Sequence, residues 1–290
     1  MKKNKITQIV LIITLIITFS ACNDDITDVK NLVNGNGLNI NLHNSNDTIS
    51  QTNAPWLDFN SIVDYENTIN LLNQNENYLT DFETDLQFNS MRLAMSEYDR
   101  EEIGIEDDIL ATLLNPEGIV QIGRYIFKVD VLRNLVIAYD ELDLKDTLHF
   151  GIDDNAIDIL YGTPTLETLN MRRSNYKAYY DFNAETTIYC KTVYQRAAIY
   201  FSLLVKINKE YAIRAIEITY NMYAGTYTKN RNNAPRVNFN AHTNGGFKKS
   251  YSYRPYASIV GLKQFYLSSG FYYTNWNNLE QGNVILTIQK

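Results

Sequence analysis

From Ile199 to Ile207 the chain is apolar at every second position, with Ile199, Phe201, Leu203, Val205 and Ile207 on one side and Tyr200, Ser202, Leu204 and Lys206 on the other. A period of two sends alternate side chains to opposite faces of an extended backbone, so this segment predicts a strand with one wholly apolar face. That face has to be covered by a second layer, which commits this part of the chain to a layered β-fold. The pattern recurs. Ile216, Ile218, Tyr220 and Met222 alternate with Glu217, Thr219, Asn221 and Tyr223, and Val237, Phe239 and Ala241 alternate with Arg236, Asn238, Asn240 and His242. Thr243 to Gly246 reads as a turn into a strand over 247–253, and further runs occupy 259–267, 271–275 and 284–289, the first two joined by Ser268 to Gly270. Strands meeting turns at such close intervals predict a β-sandwich or a partly open barrel, and the expected fold of 166–290 is an antiparallel β-sandwich. A membrane barrel would suit the many tyrosines, but the polar faces of these strands argue against it.

The preceding segment has a different character. Residues 22–150 hold 24 Asp and Glu against 7 Lys and Arg, a net of −17, whereas 151–290 hold 9 against 16, a net of +7. Of the 22 tyrosines, 17 follow position 150. A joint shift in charge and aromatic content predicts two units that attract one another, with the boundary between 145 and 185. Over 56–165 the signals are mostly helical. Ser61 is an N-cap with Asp64 three residues on, and Ile62, Tyr65, Ile69 and Leu72 follow at helical spacing. Phe82, Leu86, Met91, Met95 and Tyr98 sketch a second helix; Ile109, Leu113 and Leu114 a third, stopped at Asn115-Pro116-Glu117-Gly118. Ile119–Ile122 and Tyr125–Val129 around Gly123-Arg124 read as a hairpin. The expected fold class is therefore α+β: a mainly helical, acidic N-terminal unit with a short hairpin, then a tyrosine-rich C-terminal sandwich.

The first 21 residues combine Lys2, Lys3 and Lys5 with an apolar run from Ile9 to Phe19 and small residues after it, the pattern of a secretory signal. Phe19-Ser20-Ala21-Cys22 resembles the lipobox of bacterial lipoproteins, in which the cysteine is acylated and becomes the first mature residue. Asn23-Asp24-Asp25 is similar to the surface-export signal of Bacteroidota-type lipoproteins, and Asp47-Thr48-Ile49 to the O-glycosylation sequon of the same group. Residues 22–55, with nine asparagines after Cys22 and no sustained apolar period, read as a disordered tether. The run from Leu113 to Val129 resembles a module of Bacteroidota surface lipoproteins of unknown function, as does the segment from Val193 to Ile207. The resemblance implies an address, lipid-anchored in the outer membrane and displayed at the surface, and implies no activity. With Cys22 carrying lipid, Cys190 is left alone and reads as a buried core thiol.

Catalytic signatures are missing: there is no Gly-x-Ser-x-Gly elbow, His-Glu-x-x-His helix, phosphate-cradling glycine loop or Cys-x-x-Cys pair. His149 and His242 are the histidines outside the tether, and no spacing matches them to a nucleophile or a zinc set, so no cofactor or metal is expected. Asp153, Asp154, Asn155 and Asp158 fail the calcium-loop pattern and read as a helix start. Glu101-Glu102 to Glu106-Asp107-Asp108 reads as a solvated face leading into the helix at Ile109. Two features point to binding. Phe271, Tyr272, Tyr273 and Trp276 stand beside Asn275, Asn277 and Asn278, a composition suited to stacking sugar rings while amides bond hydroxyls. Lys229, Arg231, Arg236, His242, Lys248 and Lys249 gather positive charge that fits an acidic polysaccharide or the acidic first unit. The candidate ligand residues are Tyr272, Tyr273, Trp276, Arg236, His242 and Lys248, with Cys22 for lipid attachment. The expected role is non-catalytic binding or adhesion, to a glycan or a partner protein and not to nucleic acid. The alternatives are an envelope hydrolase working through carboxylates such as Asp153 or Glu217, and a structural subunit that assembles by strand addition.

Overall fold

A computed structural model describes residues 32–43, 54–143, 145–162, 176–183, 186–210 and 213–290. The signal segment, Cys22, the export-like triplet and the sequon-like triplet lie outside these residues. The described part is mostly β, with 48% of it in strands.

The N-terminal half sets its helices on a six-stranded sheet, where the sequence predicts a single short hairpin. Its order is β1 (Ile40–His43), β2 (Trp56–Phe59), β3 (Ile119–Ile122), β4 (Tyr125–Asp130), β5 (Leu135–Asp140) and β6 (Thr147–Phe150). The β3–β4 hairpin forms as the sequence predicts, with Ile122 opposite Tyr125. The Asn-Pro-Glu-Gly stop before it is fixed by Asn115, whose Oδ1 accepts from the backbone N–H of Glu117 at 3.0 Å and of Ile119 at 2.9 Å. Gly118 sits at φ +80°, where a Cβ would stand 2.6 Å from the Val129 carbonyl oxygen, so no other residue fits.

Residues 32–43, inside the segment read as a tether, are part of this body. Leu32–Gly35 makes one turn of helix, α1, and β1 pairs antiparallel with β2. Val33 and Leu38 are buried in the core, and the His43 ring stacks on Trp56 at 4.7 Å. The high asparagine content hides two apolar anchors and a four-residue strand too short to show a period. A fragment beginning at residue 55 loses all of this, and we expect it to be less stable than one beginning at residue 23 by about 3–6 kcal/mol, the scale of two buried aliphatic side chains; paired denaturation curves check it.

Helices cover one side of the sheet. In α2 (Ile62–Leu72) the Ser61 hydroxyl donates to Asp64 at 2.6 Å and accepts from its N–H at 3.2 Å, and Tyr65, Ile69 and Leu72 are buried, all as the sequence predicts. The single second helix expected from Phe82 to Tyr98 is instead three pieces: α3 (Asn77–Leu86), α4 (Met91–Ala94) and α5 (Glu97–Glu102). Gln87 ends α3 at φ 51°, and Ser90 and Ser96 each cap a new start, since their hydroxyls accept from N–H groups three residues on. α6 (Asp108–Leu113) follows, capped by Asp107 and ending before Asn115.

The C-terminal half holds two four-stranded antiparallel sheets. One has the order β12 (Ser250–Ser258), β9 (Phe201–Lys209), β8 (Thr187–Arg196), β7 (Lys177–Asn183), and the other β11 (Arg236–Gly246), β10 (Ile216–Lys229), β13 (Leu262–Asn275), β14 (Glu280–Gln289). They enclose one core, in which Cys190, Phe201, Leu203, Val205 and Ile207 meet Ile218, Phe265, Leu267, Phe271 and Tyr273. Burial holds the Cys190 thiol up and inert. Ser268 to Gly270 is not a turn; it runs inside β13, a single fourteen-residue strand. Ala197 to Tyr200, at the β8–β9 corner, belongs to the core of the N-terminal half, so the two halves share packing rather than a linker.

Candidate functional site

The two sheets of the C-terminal half differ in what covers their outer faces. On the β12-β9-β8-β7 sheet the outward residues Tyr200, Ser202, Lys191, Gln195, Lys206 and Arg254 are all buried beneath α5, α6 and the segment between them. The acidic run from Glu97 to Asp108 lies against them. Asp107, fully buried, accepts from Arg254 Nε at 2.8 and 3.0 Å, from the Tyr200 hydroxyl at 3.1 Å and from Ser202, while also capping α6 through the Ile109 N–H at 2.8 Å. Lys191 reaches Glu101, Glu97 at 3.1 Å and Glu106 at 3.6 Å. Lys206 bridges Glu97 at 2.7 Å and Asp108 at 3.2 Å, and Arg100 meets Asp108 at 2.8 Å. Lys177 pairs with Glu106, which also accepts from the Tyr179 hydroxyl at 2.8 Å. The reading of Glu101 to Asp108 as a solvated face is therefore overturned: Glu106 and Asp107 are 2% and 0% exposed. The ionic latch between the halves uses Lys177, Lys191, Lys206 and Arg254, none of which stood among the expected basic residues. A signal existed in the register: Lys191 stands directly opposite Lys206, a like-charge pair that is unfavourable unless acids lie over it.

The latch fixes a pH window. Burial opposes ionisation of Asp108, but Lys206, Arg100, Arg254 and Lys191 outweigh it and hold the carboxyl well below the usual range; Lys206 and Lys191 likewise lower Glu97 against its burial. Burial works against the Lys191 charge, and Glu97, Glu101 and Glu106 outweigh it and raise its pKa. Lowered carboxylates add stability above their unfolded values of about 4, lost as pH falls toward the folded values; a raised lysine adds stability below about 10.4, lost as pH rises. Glu101, raised chiefly by burial, runs the other way and softens the acid limb. Thermal melts against pH should show a plateau between about 4.5 and about 10 that falls off on both sides.

The outer face of the β11-β10-β13-β14 sheet carries no such cover among the described residues. Phe265, Leu267, Phe271 and Tyr273 point into the core, so Tyr266, Ser268, Gly270 and Tyr272 point outward. Register places Asn238, Thr226, Tyr266 and Gln289 in one row across the sheet, Asn240, Ala224, Ser268 and Thr287 in the next, and Thr219, Tyr272 and Asn283 further along. Arg236 lies on the same face at the end of β11, its guanidinium 2.8 Å from the Thr226 hydroxyl. The result is a mainly polar surface with two tyrosines, amides on both flanks, small residues between and one exposed isoleucine, Ile285, beside Gly270. On the core side Gly225 permits a close approach that no other residue would, since a Cβ there would stand 2.1 Å from the Tyr266 carbonyl oxygen and 2.5 Å from the Phe239 ring.

The predicted ligand residues are not brought together as a group. Tyr272 is on the open face, half-buried. Tyr273 is 3% exposed in the core, its hydroxyl donating to Glu280 at 3.0 Å and its pKa pushed up to about 12 by burial, so it cannot stack on a ligand. Trp276 is 55% exposed beyond the end of β13 and donates to Glu217 at 3.1 Å. The asparagines beside it serve the turn: Asn275 Oδ1 accepts from the Asn277 N–H and Asn278 Oδ1 from the Glu280 N–H. Arg236 and His242, six residues apart on β11, are separated by about 20 Å, and exposed Lys248 lies beyond the strand over the Tyr251 ring. The basic residues are spread along β11 and beyond its ends rather than gathered. Tyr266, 43% exposed, and Asn238 and Asn240 were missed as ligand residues; their alternation with core residues was visible, but which sheet would stay uncovered was not.

A polar cleft of about 580 Å³ lies where Asp153, Asp154 and Asp158 face Asn230, Arg231 and Lys263. A 3-10 turn, Ala156–Tyr161, starts there as expected, with Asp153 tied to Arg196 at 2.7 Å and Asn155 accepting from the Gly261 N–H at 3.0 Å. Glu217 sits near the opposite end of β10 from this cleft, about 40 Å along a strand, so Asp153 and Glu217 do not form a carboxylate pair. No cluster of three or more His, Cys, Asp or Glu side chains among the described residues is arranged to hold a metal ion. Compared with models of known protein families the chain matches none, and no curated protein matches it.

Proposed function

We propose that this chain is a lipid-anchored protein of the outer-membrane surface whose role is non-catalytic binding, with the open face of the β11-β10-β13-β14 sheet as its ligand surface and a glycan as its ligand. In this reading an acidic, helix-bearing first unit is a clamp that closes one side of a C-terminal β-sandwich, leaving the other side to act. The observation that carries it is this asymmetry: one outer face is buried under ion pairs, and the other is uncovered among the described residues, rich in amides and hydroxyls, and bears Tyr266 and Tyr272. Tyrosine rings offer apolar faces to sugar rings, and amide side chains bond hydroxyls with both donor and acceptor. Arg236 on the same face favours a sugar that carries acid groups. The anchor rests on the lipobox-like quartet ending at Cys22 and the acidic triplet after it.

A glycan array probed with the chain from residue 23 tests the ligand. Tyr266→Ala and Tyr272→Ala should each weaken binding by about tenfold, the scale of one aromatic contact of about 1.5 kcal/mol, while Tyr273→Phe should change nothing. Binding that survives both replacements, or no binding to any glycan, sinks the glycan reading. Protease treatment of intact cells tests display: a chain that is fully protected is not at the surface.

A further inference from the structure

The edges of the sheets are not alike. β1 and β6 are four residues long, β7 carries Lys177 and Asp181, and β12 carries Pro255 and an irregularity between Tyr253 and Tyr256. β11 carries Arg236 and His242, and its ladder with β10 shifts twice. Short length, charge, proline and bulges are the devices by which edge strands avoid pairing with another chain. β14 has none of them from Gln281 to Gln289: the stretch is uncharged, lacks proline, and pairs with β13 without a shift in register. Its outward-facing Ile285 is 72% exposed.

The backbone of β14 is also set for a partner. The Lys290 N–H donates to the Phe265 carbonyl at 2.9 Å, so by the alternation of antiparallel ladders the even-numbered residues turn their N–H and C=O groups toward β13. Gln281, Asn283, Ile285, Thr287 and Gln289 then turn theirs to the edge that pairs with no strand among the described residues, with β7 of the facing sheet beside it, and all five are exposed.

We propose that β14 pairs antiparallel with β14 of a second copy of this chain, with Ile285 opposite Ile285 on a twofold axis. This register sets Asn283 opposite Thr287 and Gln281 opposite Gln289, so every outward backbone group from 281 to 289 joins a hydrogen-bonded pair. Ile285, otherwise in water, packs on its counterpart. At the strand ends Glu280 of each copy stands opposite Lys290 of the other, so the charges complement and no like charges meet. Within one chain Glu280 accepts from the Tyr273 hydroxyl at 3.0 Å and from the Asn278 amide at 3.5 Å, and Lys290 donates to the Leu262 carbonyl at 3.2 Å and lies 3.7 Å from Asp153; the carboxylate keeps a lone pair and the ammonium a third hydrogen for the cross-axis pair. A twofold contact is self-complementary and closes at two copies. The two sheets become one of eight strands with both open faces on the same side, and this holds whatever ligand those faces take.

Crosslinking in cells that make the full chain tests it. Ile285→Cys, treated with a short membrane-permeant reagent that joins two thiols, should give a species of doubled mass. The unsubstituted chain, which keeps Cys22 and Cys190, and Asn238→Cys on the opposite edge should not. In the Ile285→Cys background, Glu280→Lys or Lys290→Glu should each reduce the yield, and the two together should restore it. No doubled species from Ile285→Cys, an equal yield from Asn238→Cys, or no restoration by the double reversal overturns the proposal. Sedimentation of the detergent-purified full chain gives an independent reading: two copies for the unsubstituted chain and one for Ile285→Lys support the pairing, and one copy for both overturns it.

Discussion

Replacing Asp107 with alanine should lower stability by about 3–5 kcal/mol, the cost of leaving a buried charge without its counter-ion. Asp107 holds Arg254, accepts from Tyr200 and Ser202, and caps α6, all at 0% exposure. The Arg254 guanidinium, itself 7% exposed, would be left among Tyr200, Ser202 and the helix start with no carboxylate on its Nε. Asp107→Asn keeps an acceptor for the Ile109 N–H and should recover the part due to the cap, about 1 kcal/mol. Urea denaturation checks both values. Arg254→Met added to Asp107→Asn should cost less than the sum of the single changes, because each single change strands a group that the double change removes. A loss under about 1 kcal/mol for Asp107→Ala would mean that water reaches Arg254 and that the interface is not closed.

Lys191→Met should be comparably severe, and its signature is a change in pH response. The lysine is fully buried, and Glu97, Glu101 and Glu106 depend on it for their charge balance. Methionine fills similar volume, so the loss is electrostatic: about 3–5 kcal/mol at neutral pH. Without the ammonium group the carboxyl pKa values in the fold rise, and carboxylic acids with raised folded values are least destabilising below their unfolded value of about 4.3. The deficit should therefore shrink between about pH 8 and about pH 4.5, while the unsubstituted chain holds its stability over that range. Denaturation midpoints at the two values decide it; an equal deficit at both would assign the role of Lys191 to packing.

These two side chains also show where the sequence was legible and where it was not. Periodicity located β9, β10 and the α2 helix with its Ser61 cap, because in each the apolar period is long enough to separate extended from helical backbone. The Asn-Pro-Glu-Gly stop and the hairpin after it were equally plain, since proline and glycine act locally. Helix continuity from Phe82 to Tyr98 was misread because Gln87 takes a left-handed conformation that its residue type does not advertise. β1 was hidden by asparagines, and β2 by its parallel pairing with β3, a neighbour more than sixty residues away. The site was hardest. Lys191, Gln195, Ser202 and Lys206 alternate with core residues as solvent-facing side chains do, and only the docking of the N-terminal half buries them. Charge asymmetry between the halves predicted attraction; it could not say which lysines meet which acids, because that depends on register. Tyr272 and Tyr273 differ by one position and so face opposite ways, and a composition argument treats them alike.

The strand at 40–43 and the helical turn before it also set the reach of the molecule. On the proposed lipid attachment at Cys22, a tether of 33 residues would permit an excursion of up to about 115 Å when fully drawn out, whereas the ten positions from Cys22 to Leu32 permit about 35 Å. On that attachment the folded body would stay within about 35 Å of the headgroups. A partner has to be reachable at that height: soluble chains and cell-surface polymers that lie close to the bilayer qualify, and receptors held far above it do not.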